Sequence, residues 1–154
     1  KRLENVPIFI PVANGGMGTV VRAGTLMGSM SAKMHRYYLR KALEVKLKRS
    51  MAAGESTHHI VPIESIREGA DKCRQLFAKF KLDIDKEYNG VFLPATKNSP
   101  NPRGSIVHAT LDNPTYYKKV AKSLNEAKTQ ADALERLRKI RKTLLDGTFY
   151  DAVL

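Results

Sequence analysis

Thr57-His58-His59-Ile60-Val61-Pro62 is followed further along by a second apolar stretch, Asn89-Gly90-Val91-Phe92-Leu93-Pro94. Both are short and bounded by proline or glycine, which predicts two brief strands, over 59–63 and 90–94. On an extended strand successive side chains project to opposite sides. Two neighbouring imidazoles can therefore hold different jobs, one turned toward a metal ion and the other toward a water molecule. Imidazole suits the second job because its ordinary pKa lies close to neutral pH.

Most of the remaining chain reads as helices. Ser31 opens a segment to Ala53, ending before Gly54, with Met34, Tyr37, Tyr38, Ala42, Val45 and Met51 at helical spacing. A second helix is predicted over about 64–80 from Ile63, Ile66, Ala70, Cys73, Leu76, Phe77 and Phe80. A third region starts at Pro114 and stops at Gly147, with Val120, Leu124, Ala127, Ala131, Leu134, Leu137, Ile140 and Leu144 on its buried side and a break near Thr129. The fold class expected is α+β: one α-rich domain with a small strand pair. Residues 1–30 are expected to be an extended lead-in, followed by one domain over 31–154. The glycines at 15, 16 and 18 lack the Lys-Ser/Thr that would make a phosphate-binding loop.

The chain has 154 residues, 42% of them apolar, enough for one compact core. It starts at Lys1 and is read as a processed product or the end of a longer polypeptide. No apolar run approaches the length of about 20 residues that spans a bilayer, which predicts a soluble domain with no membrane partner. The single cysteine, Cys73, excludes an internal disulfide framework and is read as a buried structural thiol. Twenty-seven Lys and Arg against fifteen Asp and Glu give a formal charge of +12, which favours a polyanionic partner, nucleic acid first. The predicted first helix carries Lys33, Arg36, Arg40, Lys41, Lys46, Lys48 and Arg49 against the lone acid Glu44, an imbalance that favours phosphate contact. His35, on the same helix, is expected at the surface. No relay of acid and base stands near Ser56, Thr57 or Ser105, so a serine hydrolase is disfavoured.

Hydrolysis of a phosphodiester needs a base for the water and a cation for the phosphate and the departing oxygen. Thr-His-His-Ile-Val-Pro, then Asn-Gly-Val-Phe-Leu-Pro, then His108-Ala-Thr-Leu-Asp-Asn-Pro-Thr-Tyr-Tyr resembles the AHH branch of the HNH nucleases, over residues 57 to about 120. The resemblance implies a ββα-metal motif with His58 as a metal ligand and His59 as the general base. It also implies Asn89 as the residue bracing the loop by hydrogen bonds and His108 as the next ligand. Four positions on, where the family usually has a second histidine, stands Asp112; it is expected as the third ligand, with Asn113 as the alternative. A carboxylate there would rank Mg²⁺ ahead of Zn²⁺, Mn²⁺ or Ni²⁺. Tyr116 and Tyr117 match the family's aromatic pair. The function implied is a non-specific endonuclease, with double-stranded DNA favoured over RNA. The resemblance further implies the toxic domain of a secreted bacterial effector, delivered into a target cell, acting in the cytoplasm and restrained by an acidic immunity protein. The rival reading is a non-catalytic, RNA-binding basic module.

Overall fold

The computed structural model describes residues 30–154, and the lead-in expected over 1–30 falls almost wholly outside the described residues. Helix α1 spans Ala32–Leu47, strand β1 Glu55–His59, helix α2 Ala70–Lys79, strand β2 Gly90–Pro94, helix α3 Pro114–Asn125 and helix α4 Gln130–Asp146. The two strands pair antiparallel in the register Glu55↔Pro94, Ser56↔Leu93, Thr57↔Phe92, His58↔Val91 and His59↔Gly90. No helix among the described residues is long and apolar enough to cross a membrane.

The small sheet has two differently used faces. Val91 and Leu93 belong to the main core with Ile60, Val61, Phe77, Tyr116, Leu124 and Leu137, built largely by α2, α3 and α4. Phe92 points the other way and joins Leu39, Leu43 and Met51 in a second, smaller cluster under α1. Directly paired residues share a face, so His58 opposite Val91 lies on the main-core side and His59 opposite Gly90 lies on the α1 side.

Gly90 is what lets α1 sit so close. A Cβ there would lie 2.7 Å from Leu39 Cδ1 and 2.8 Å from Leu43 Cδ1. Those methyls end flexible side chains and can shift, so Gly90→Ala is expected to cost about 1–2 kcal/mol by overpacking, read as a lower urea midpoint with an unchanged slope.

Several element boundaries differ from the sequence expectation, each for a local reason. Helix α1 stops at Leu47 because Lys48 turns left-handed (φ 56°), its N–H closing on the Glu44 carbonyl. The stripe expected inside is outside: Met34, Tyr37, Tyr38 and Val45 are all exposed. The helix meets the rest of the protein through the narrow row His35, Leu39 and Leu43 instead. Strand β1 ends at His59 rather than beginning there, and Pro62 supplies no N–H to extend a ladder beyond it. Helix α2 starts late because Gly69 adopts φ 94° at its N-cap, leaving Ile66 96% exposed instead of in the core. The last region divides where expected: the Thr129 side chain accepts from the Asp132 N–H at the start of α4, and Gly147 ends α4 at φ 76°. Cys73 is buried against the Tyr117 carbonyl, and burial pushes its thiol up to about 12.

Candidate active site

The pleat of β1 splits the two neighbouring histidines between two sets of partners. On the main-core side, His58 Nε2 lies 2.8 Å from the Tyr116 hydroxyl, and that hydroxyl lies 2.8 Å from the Ile60 carbonyl. A phenol has one hydrogen to give. Since Ile60 can only accept, Tyr116 donates to Ile60 and accepts from His58 Nε2–H. The lone pair of His58 is thereby placed on Nδ1, which lies 3.0 Å from Nδ1 of His108. His108 opens a single 3-10 turn over His108–Thr110, just before α3.

On the α1 side, His59 Nε2 lies 3.1 Å from Oδ1 of Asp85, and Oδ2 of the same carboxylate lies 2.7 Å from His35 Nδ1. Asp85 is only 14% exposed and His35 only 12%. His35 is therefore not the free surface residue the sequence suggested: α1 carries it inward, one turn before Leu39. Burial raises the Asp85 carboxyl, but hydrogen bonds and charge from His35 and His59 outweigh it and hold the group below its ordinary value.

All three site imidazoles are held toward the neutral form. Burial lowers His58 well below the usual histidine value, helped by the charges of His108 and His59. Burial also lowers His59, partly offset by Asp85 and reinforced by His35 and Arg36. For His108 the causes are burial, then Arg36, then His59. Arg36, on α1, thus makes its charge felt at two of the three rings. A neutral ring with an available lone pair is the form that either binds a metal ion or takes a proton.

Asn89 lies at the foot of β2, fully buried, in a 3-10 turn over Glu87–Asn89. Its Oδ1 accepts from the Val61 N–H at 2.9 Å, and its Nδ2 donates to the Val61 carbonyl at 3.0 Å and the Ile84 carbonyl at 2.9 Å. Its backbone carbonyl takes the Ile60 N–H at 2.8 Å. The residue ties the segment leaving the histidine pair to the segment that carries Asp85.

The structure does not bring Asp112 to the imidazoles, contrary to the ligand set expected from sequence. Its Oδ1 accepts from the Ser65 hydroxyl at 2.7 Å and the Tyr117 hydroxyl at 2.8 Å, and its Oδ2 pairs with Arg67 at 3.4 Å. The carboxylate is spent on fastening the loop before α2 to the start of α3. Asn113, the alternative, is the N-cap of α3: its side-chain oxygen accepts from the Tyr116 N–H and its Nδ2 donates to the Thr110 carbonyl. Among the described residues no group of three or more His, Cys, Asp or Glu is placed to hold an ion together.

A family model described as a nuclease family of the HNH/ENDO VII superfamily with conserved AHH matches residues 44–144, well over half of the chain. The chain belongs to the AHH nuclease family. No curated protein and no solved structure matches it. Where the family conserves Ala-His-His, this AHH nuclease reads Thr57-His58-His59. The threonine is accommodated on the α1 side, with its hydroxyl 3.4 Å from the Met51 sulfur.

Membership implies a divalent metal ion, and the donor set can be tested against it. Nδ1 of His58 and Nδ1 of His108, 3.0 Å apart, are near enough that both could serve one ion. The hydrogen now shared between the rings needs only to move to Nε2 of His108 for both lone pairs to converge. Tyr116 and the Ile60 carbonyl supply the outer hydrogen bond that fixes the His58 ring. His58 and His108 thus fit an ion as two ligands, and Asp112 does not join them. With no carboxylate in the set, the ground for ranking Mg²⁺ first falls away, since imidazole favours Zn²⁺, Ni²⁺ and their neighbours.

Proposed function

We propose that this AHH nuclease is a metal-dependent endonuclease that hydrolyses DNA with little sequence preference. The observation that carries the reading is the division of the histidine pair: His58 faces His108 across a 3.0 Å gap between Nδ1 atoms, while His59 faces the opposite side of the strand. His58 and His108 would hold the divalent ion, which supplies charge neutralisation at the phosphate and the leaving 3′-oxygen. His59 takes the proton from the attacking water, and its neutral resting state leaves it able to do so.

Exposed Lys33, Arg36, Lys41 and Lys46 on α1 grip the backbone of the nucleic acid. Such contacts go to phosphate and carry no base information, which is the ground for low sequence preference. Arg49, also counted among the basic residues in the sequence, is already engaged by Glu55 at 2.8 and 3.0 Å. Duplex DNA is favoured over RNA because HNH-type motifs work in a duplex groove. The net charge of +12 suits an acidic immunity protein, whose association it would speed. That partner belongs with a role as the toxic domain of a secreted bacterial effector, delivered into a target cell and acting in its cytoplasm.

The test is a degradation assay on duplex DNA, single-stranded DNA and RNA with Mg²⁺, Mn²⁺, Ni²⁺ or Zn²⁺ in turn. Cation-dependent cutting of duplex DNA, abolished by EDTA, is the expected result. Tight binding of nucleic acid without cutting under every cation would overturn the reading in favour of a non-catalytic RNA-binding module.

A further inference from the structure

The family-matched segment begins at residue 44, yet one side chain in contact with the site's acid comes from before it. His35, at the end of the first turn of α1, reaches Asp85, and Asp85 reaches His59. We propose that Asp85, braced by His35, is a positioning residue that keeps the hydrogen of His59 on Nε2 and its lone pair on Nδ1, making Nδ1 the atom that takes the proton from water. The inference rests on the nuclease reading and adds to it which nitrogen acts and what holds it.

Donor and acceptor counts fix the tautomer. An ionised carboxylate only accepts. Both of its contacts, at 3.1 Å to His59 and 2.7 Å to His35, are then N–H donors. His59 consequently donates from Nε2, and in its neutral form carries its lone pair on Nδ1. That nitrogen has no hydrogen-bond partner among the described residues. The His35 N–H stops the carboxylate from rotating away, and the Asp85 N–H is itself fastened to Asp83 Oδ1 at 2.8 Å. On reaction, a water O–H bond breaks and its proton passes to His59 Nδ1. The water oxygen bonds to phosphorus as the P–O3′ bond breaks, its electron pair leaving on the 3′-oxygen, which is protonated by solvent. The imidazolium so formed donates to Asp85 throughout. The need for a fixed tautomer explains why an otherwise costly buried acid stands behind this base.

The test combines kinetics with a measurement that needs no catalysis. Asp85→Asn keeps the shape but can offer N–H₂ to Nε2, favouring the opposite tautomer. Its kcat for duplex cleavage is expected to fall by about 10²- to 10⁴-fold, the scale of a base held in the wrong tautomer, with KM changed less than about threefold. Nitrogen-15 NMR of the metal-free protein is expected to show His59 protonated on Nε2 in the parent chain and shifted toward Nδ1–H in the variant. His35→Asn, which keeps a donor at the same place, is expected to retain most of the rate, whereas His35→Ala loses about tenfold. A parent His59 protonated on Nδ1, or an Asp85→Asn chain that cuts at the parent rate, would overturn the proposal. If the parent chain cuts nothing under any cation, the nuclease reading fails, while the NMR result still decides the tautomer.

Discussion

His59→Ala is expected to lower the rate of duplex cleavage by about 10²- to 10⁴-fold, the usual contribution of a positioned general base. Affinity for DNA should stay within about threefold, because the basic residues proposed to hold phosphate lie on α1 and not at position 59. The ring is buried and joined to Asp85 at 3.1 Å, so some stability is lost too, on the order of 1–3 kcal/mol. A far-ultraviolet spectrum and melting curve must therefore accompany the kinetics. A folded variant that cuts at the parent rate would remove His59 from the chemistry and leave the proposed mechanism without a base.

The second large effect concerns stability. Asn89→Ala removes one acceptor and two donors from a fully buried position, stranding the Val61 N–H and the carbonyls of Val61 and Ile84. With each unsatisfied buried group costing about 1–3 kcal/mol, a loss of about 3–5 kcal/mol is expected, large for a single substitution. The consequence reaches the site, because the same side chain ties the exit of β1 to the stretch ending at Asp85. Denaturant unfolding measures it directly; a loss under 1 kcal/mol would show that Asn89 is not the brace its contacts indicate.

The parts of this molecule legible in its sequence are those governed by local rules. The α+β class, β2 over Gly90–Pro94, the cap at Thr129 and the stop at Gly147 each follow from residues adjacent in the chain. Helix α1 was readable as a helix but not in its facing, because apolar residues occupy two sides of it and only the sheet below decides that Leu39 and Leu43 go in. The site divides the same way. His58, His59, Asn89 and His108 stand in recognisable strings; the structure brings His58 and His108 together, turns His59 to the other face of β1, and ties Asn89 to the segment following the pair. Asp112 also stood in such a string, but Ser65, Arg67 and Tyr117 hold it elsewhere, and those partners come from a distant loop and a helix turn. Asp85 belongs to no motif, and His35, fifty positions before it, reads from sequence as a surface residue. The one trace was that His35, Leu39 and Leu43 repeat at four-residue spacing, a row that only gains meaning once α1 is known to lie on Gly90.

The pairing of β1 with β2 makes odd and even positions of one short strand chemically unlike. Were the strand to gain or lose a single residue ahead of the histidines, their parity would invert: the ring meant for Tyr116 would face Leu39, and its neighbour would be thrust among the core aromatics. A slip of two would restore parity but set Thr57 or Val61, in place of His59, opposite Gly90. A one-residue insertion in β1 is therefore expected to cost this chain far more than one in a connection such as 96–107.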